Sequence, residues 1–156
     1  MRLVVAAVGR WKAGGKAGPE RALFEHYARR ITLPFDLKEV EEKKRLKPAP
    51  LKKREAGLLL AQAPKDAVIV ALDEKGKALS STQLAQELGR WRDDGAKHVV
   101  FMIGGAEGLD ESVRERARLV LSLGPMTWPH MLVRPMLAEQ IYRAQCILSG
   151  HPYHRG

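Results

Sequence analysis

Apolar residues along this chain recur with two different periods, and the two alternate from one end to the other. Residues 2–8, 67–72, 98–103 and 119–121 are short, nearly unbroken apolar runs rich in Val, Ile and Leu, the pattern of strands buried on both faces in a parallel sheet. Residues 35–40 (Phe-Asp-Leu-Lys-Glu-Val) alternate instead, which predicts a half-buried strand nearer a sheet edge. Between these runs the spacing turns helical. A helix is predicted over residues 19–30, with Pro19 in its first turn and Leu23, Tyr27 and Arg30 along one side, and Pro34 prevents its continuation. Another over residues 55–63 stops at Pro64, and the strand that follows it exits through residues 73–76. Ser80 and Gln83 have capping-box spacing, after which Leu84, Leu88 and Trp91 fall on one face, so Trp91 belongs to the core. Residues 109–118 form a helix exposing Arg114 and Arg118. Leu137, Ile141, Ala144 and Leu148 trace the stripe of a last helix, with Glu139 and Arg143 paired i to i+4 opposite. Strands alternating with helices predict an α/β fold, a mainly parallel sheet with helices on both faces, in one domain over residues 1–156 without repeat or linker.

At 156 residues the chain buries roughly 70% of its unfolded surface, enough for a core without disulfides. The single cysteine, Cys146, lies in an apolar helical pattern and reads as a small buried thiol, which favours a reducing, cytoplasmic setting. The N-terminal apolar run is too short for a signal-peptide core, and no stretch approaches the length needed to cross a bilayer, so no membrane association is expected. Charge adds what periodicity does not. Lys plus Arg number 27 against 18 acids, a formal net charge of +9 with a pI near 9.9, so the surface field attracts polyanions and nucleic acid is the leading partner. Two segments concentrate that charge. Residues 43–54 hold seven cations and no acid, a block that reads either as a solvated, mobile segment or as a phosphate-contacting one. Residues 9–19 carry four glycines, three cations and Trp11, either a flexible surface loop or one that touches phosphate and stacks on a base.

Several familiar chemistries are excluded. There is no phosphate-binding glycine loop ending in Lys-Ser/Thr, and residues 104–108 (Gly-Gly-Ala-Glu-Gly) lack the dinucleotide fingerprint's spacing. One cysteine and five scattered histidines form no metal-ligand cluster, and no serine sits on a sharp glycine turn. Residues 104–108 still follow a buried strand, and residues 121–130 (Leu-Ser-Leu-Gly-Pro-Met-Thr-Trp-Pro-His) follow another. Ligands of open α/β sheets collect at such strand ends, although a plain turn explains residues 104–105 equally well.

Those two stretches, with Leu132-Val-Arg134, Glu139-Gln-Ile-Tyr-Arg143 and the ending His151-Pro-Tyr-His-Arg155, together resemble the SPOUT superfamily of α/β-knot methyltransferases over the whole chain. The closest likeness is to the small bacterial family that methylates N3 of a pseudouridine in 23S rRNA. The resemblance implies a deep C-terminal trefoil knot, S-adenosylmethionine bound in it, a homodimer whose C-terminal tail completes the partner subunit's pocket, and 23S rRNA or the ribosome as substrate. It also implies site residues. Leu72 would form an adenine-side wall, Gly104 would let backbone approach the cofactor, and Leu123, Gly124, Pro125, Met126, Thr127 and Trp128 would wrap the adenosine. Gly124-Pro125 departs from the commoner pattern of a hydroxyl residue followed by a non-proline, and Pro125 has no N–H to offer. His130, Arg143, Tyr153 and His154 match active-site positions: His154 as general base, Arg143 stabilising negative charge on the nucleobase, Tyr153 positioning or stacking on it, and His130 orienting the loop. From the residues alone, Arg143 is equally a surface ion pair with Glu139 and the tail a disordered end. A knotted enzyme acting on another RNA atom, or a ribosome-binding factor without catalysis, are the alternatives.

Overall fold

A computed structural model describes residues 1–156, with the side chains of residues 16 and 17 outside the description; Lys16, one of the three loop cations, is among them. Five strands, β1 (Arg2–Val8), β2 (Phe35–Val40), β3 (Val68–Lys77), β4 (His98–Ile103) and β5 (Leu119–Leu121), form one sheet in the order β2-β1-β4-β3-β5. Every neighbouring pair is parallel. Burial follows the apolar pattern in three strands: β1 is buried from Leu3 to Val8 and β4 from Val99 to Ile103, whereas β2 alternates and lies at the edge. β5, expected to be buried on both faces, is instead the other edge strand, with Leu119 and Val120 half-buried and Leu121 buried. Five helices cover the faces: α1 (Gly18–Ala28), α2 (Pro48–Leu60), α3 (Ser81–Asp93), α4 (Glu111–Arg116) and α5 (His130–Ser149). Because successive side chains of a strand point to opposite faces, two cores result. Leu3, Val5, Val70 and Phe101 pack with Leu88 and Trp91 of α3 and Leu137 and Ile141 of α5. Val4, Ala6, Val100 and Met102 pack with Leu59 of α2 and Val113 of α4. Cys146 is free and buried, and Ser80 and Gln83 make the capping box at the start of α3.

Further local expectations need correction. β3 does not leave the sheet at residue 73 but runs to Lys77, meeting Leu121 twice across an irregularity, at Leu72 and again at Lys77. Gly76 permits this, because a Cβ there would overlap the Val120 carbonyl. In α1 the buried residue is Phe24, set between the rings of Trp11 and Phe35, while Leu23 is 44% exposed. The basic block is half helix: α2 begins at Pro48, where a proline costs no helical hydrogen bond. Leu148 of the predicted stripe is exposed, and Arg114 is tied down rather than free.

One contact fixes α5 against the strand ends. Arg134 is fully buried; its Nη1 donates to Glu39 Oε2 at 2.7 Å and its Nη2 to the carbonyls of Val8 and Gly9 at 3.3 and 3.0 Å. Its guanidinium lies 4.5 Å from the Trp11 ring centroid, and the same Glu39 oxygen accepts the Trp11 N–H at 2.8 Å. The last helix, the edge strand and the glycine-rich loop thus meet on one buried cation.

Candidate active site

The second half of β3 and the carboxyl ends of β4 and β5 border a cleft of about 750 Å³, within the range of small-ligand pockets. Its walls come from one strand, from the turns that follow two others, and from two helices. β3 delivers Leu72 and then Asp73 and Glu74; β4 delivers the turn that begins at Gly104; β5 delivers the loop of residues 122–129; α5 contributes His130, and α2 reaches the rim with Lys52. Of the positions expected to hold a cofactor, Leu72, Gly104, Leu123, Gly124, Met126, Thr127 and Trp128 line this cleft, and His130 lines it too. Pro125 does not.

The loop is held from below. Buried Ser122 accepts the Gly124 N–H at 3.0 Å and donates to the Glu74 carbonyl at 3.0 Å. Thr127 Oγ1 donates to Glu74 Oε2 at 2.9 Å, and Trp128 Nε1 donates to the Leu123 carbonyl at 3.3 Å. Gly124 sits at φ +105, a conformation that a side chain would strain, which accounts for glycine where a hydroxyl residue is commoner. The backbone N–H groups of Met126, Thr127 and Trp128 find no acceptor among the described residues, and Met126 remains 70% exposed. Gly104 is explained differently from expectation: a Cβ would lie 2.8 Å from the Gly108 carbonyl, so the turn's own backbone demands the glycine.

Arg143, Tyr153 and His154 do not line the cleft but form a second cluster along α5. Arg143 donates from Nε and Nη2 to Glu139 Oε1 at 2.9 and 2.5 Å, and from Nη1 to His154 Nδ1 at 3.0 Å. A guanidinium has no lone pair to offer, so Nδ1 is the acceptor and the neutral ring carries its proton on Nε2. Tyr153 O–H donates to the same Glu139 oxygen at 3.0 Å, and its ring lies 4.8 Å from the Arg143 guanidinium. Burial and that hydrogen bond push the Tyr153 phenol up to about 12, so it stays protonated at any working pH. Sequence spacing gave Glu139 a single partner, but it holds the whole cluster. Asp73 and Arg114 were missed as well: Arg114 Nη1 donates to Asp73 Oδ2 at 2.8 Å on the cleft wall. Position directly after a buried strand is the signal that singles out Asp73 and Glu74.

Burial, with the Arg134 cation adding, pushes the His130 imidazole below its ordinary 6.5. Below that value the unfolded chain takes up a proton that the folded one resists. The stabilising share of His130 is therefore complete above pH 6.5 and lost as pH falls through the lowered folded value. His130→Gln flattens the dependence of the urea midpoint on pH as pH falls below 6.5; an unchanged slope there rejects the assignment.

A parallel α/β sheet whose cleft is walled by the loop before the last helix, and whose last helix returns to the end of the first strand, fits the α/β-knot fold that the sequence resemblance implied. Residues 1–154 match the family described as predicted SPOUT methyltransferase, and the chain belongs to that family. Its relatives carry the name ribosomal RNA large subunit methyltransferase H. The one from Rhodospirillum centenum is 59% identical over 155 residues, 99% of each chain. That of Paramagnetospirillum magneticum is 58% identical over the same share, and that of Nitrobacter winogradskyi 51% identical over 100% of both chains. Among solved structures, Archaeoglobus fulgidus Nep1 bound to S-adenosylhomocysteine superposes with a TM-score of 0.41 at 15% identity, over 81% of this chain and 72% of that one.

Proposed function

We propose that this chain is an S-adenosylmethionine-dependent methyltransferase that methylates N3 of a pseudouridine in 23S rRNA, acting in the cytoplasm as a homodimer on assembled large subunits or ribosomes. The observation that carries the reading is the cleft itself. Its volume, its apolar walls at Leu72, Leu123 and Trp128, and the free N–H groups of Met126, Thr127 and Trp128 suit an adenine, whose faces take apolar contact and whose ring nitrogens take hydrogen-bond donors. Asp73 and Glu74 suit ribose hydroxyls and a cationic ligand. Gly104 and Gly124 keep backbone close to that space, and Pro125 shapes the loop without donating. S-adenosylmethionine, when bound there, supplies an electrophilic methyl group.

The remaining chemistry falls to the α5 cluster. N3 of a uracil-type ring carries a proton at neutral pH, so it becomes a nucleophile only as that proton leaves and the ring's charge is stabilised. His154 takes the proton at Nδ1 as Arg143 Nη1 transfers its hydrogen bond from that nitrogen to the nucleobase oxygen. Glu139 keeps Arg143 aimed throughout, Tyr153 stacks on or positions the base with its O–H protonated, and His130 orients the loop from the start of α5. The separation of this cluster from the cleft within one chain supports a two-fold dimer in which one protomer's tail serves its partner's cofactor. Lys52 on the cleft rim, in the same block as Lys43, Lys44 and Arg45, favours a polyanionic substrate.

Arg143→Lys lowers kcat by about 10-fold, because an ammonium cannot span Glu139 and His154 as the planar fork does; kcat within twofold of wild type rejects the charge-stabilising role. The reading as a whole is tested with labelled S-adenosylmethionine and ribosomes from a strain lacking the modification, with and without prior pseudouridine formation. Transfer only to pseudouridine-containing ribosomes, with mass spectrometry locating the methyl on N3, is expected. Methylation of another atom rejects the N3 assignment, and no calorimetric binding at millimolar cofactor rejects the enzyme.

A further inference from the structure

On the other side of the Gly104–Gly105 turn from the cofactor cleft lies a second cleft, of about 760 Å³. Leu46, Leu51 and Met131 provide apolar walls, Arg10 and Arg45 stand at the rim, and Glu55 of α2 lies at the base. Glu55 is only 8% exposed, yet its Oε1 has no hydrogen-bond partner. Its carboxyl lies against Gly105, where an added Cβ would come within 3.2 Å of Oε2, and Gly105 in turn lines the cofactor cleft. The nearby cations do not neutralise it: Arg10 pairs with Glu41 at 3.4 Å and Arg54 with Glu42 at 2.6 Å. Burial, reinforced by the charge of Glu107, raises the Glu55 pKa, as expected of a carboxylate that lacks a donor. An orphaned buried acceptor is costly; Oε1 is closed off from solvent, and Oε2, which also accepts no hydrogen bond among the described residues and is not fully covered, is the oxygen that a ligand N–H would reach.

Building on the RNA-substrate reading above, we infer that this second cleft is a subsite for a nucleotide flanking the target, and that Glu55 there favours a base with an exocyclic amino group over uracil. A carboxylate only accepts, and the amino groups of adenine, cytosine and guanine donate. The single N–H of uracil is flanked by two carbonyl oxygens that a carboxylate repels. The apolar walls take the faces of the base, and Arg45, which pairs with no acid among the described residues, takes its phosphate on the side away from Glu41 and Glu42. Gly105 of the first cleft lies against Glu55 of the second, and His130 of the first adjoins Met131 of the second in the chain, so a strand crossing between them would place neighbouring nucleotides in the two clefts.

The test follows the Met131 methyl resonance in protein labelled at methionine methyl groups, with S-adenosylhomocysteine saturating, during titration with AMP, CMP, GMP and UMP. The three amino-bearing nucleotides should shift it with Kd on the order of millimolar, and UMP should bind at least about 5-fold more weakly. Glu55→Gln, whose amide can also donate to a uracil carbonyl, should bring UMP within about twofold of CMP, and Arg45→Ala should weaken all four while keeping the ratio. A Met131 signal that no nucleotide moves, UMP binding as tightly as CMP to the wild type, or a ratio unchanged in Glu55→Gln overturns the subsite. Methyl transfer to ribosomes provides the separation: its loss with the nucleotide ratio intact counts against the rRNA reading alone, and its presence without the ratio counts against the subsite alone.

Discussion

His154→Ala lowers methyl transfer to ribosomes by about 10²- to 10⁴-fold, the range a positioned general base contributes, and leaves affinity for S-adenosylmethionine within about twofold. The asymmetry follows from where His154 sits. It lines no part of the cleft of its own chain, and its one strong contact is the Arg143 Nη1 donor at 3.0 Å from Nδ1. Removing the imidazole therefore removes a proton acceptor and a resting partner for Arg143, but nothing that grips the cofactor. A second variant separates those two losses. His154→Asn retains an oxygen to accept from Arg143 but has no basic nitrogen, so it should be as inactive as alanine. Recovery of half the wild-type rate by asparagine would mean that the ring only holds Arg143, and parallel loss of cofactor affinity and turnover would remove the base assignment altogether.

What the sequence disclosed and what it withheld divide along a physical line. Elements fixed by local pattern were legible: the unbroken apolar runs of β1 and β4, the alternation that sends β2 to the edge, and the Ser80–Gln83 capping box each rest on residues within a few positions of one another. Elements fixed by distant backbone were not. β3 runs on to Lys77 only because Gly76 admits the Val120 carbonyl, forty-odd residues along the chain, and Phe24 rather than Leu23 is buried because Trp11 and Phe35 meet it there. The site divides in the same way. Family resemblance selected the residues that line the cleft, but nothing in the spacing could reveal that Glu139 serves Arg143 and Tyr153 with one oxygen, or that Arg114 and Asp73 pair across 41 positions. Pairing rules along a helix find i to i+4 partners; a tail folded back on that helix lies beyond their reach.

Arg134→Met destabilises the fold by about 3–5 kcal/mol, the cost of breaking a buried ion pair by removing one member. Methionine fills most of the volume, so the loss is electrostatic: Glu39 keeps only the Trp11 N–H, and the carbonyls of Val8 and Gly9 lose the Nη2 donor. The pair was never ideal, since Arg134 Nε has no partner, which places the expected loss towards the lower end of that range. For a chain of this length such a loss lowers Tm by about 10 °C, measured at one fixed protein concentration so that any self-association is held constant. The double variant Arg134→Met with Glu39→Gln should recover at least about 1 kcal/mol of that, because removing the orphaned charge removes its desolvation cost. A loss below 1 kcal/mol in the single variant, or strict additivity in the double, would mean that α5 is held to the strand ends by its apolar face alone. In that case Arg134 would be a passenger in the core, and the coupling of the Trp11 loop to the start of α5, where His130 meets the cofactor cleft, would have to be sought in the packing of Met131 against Gly9 instead.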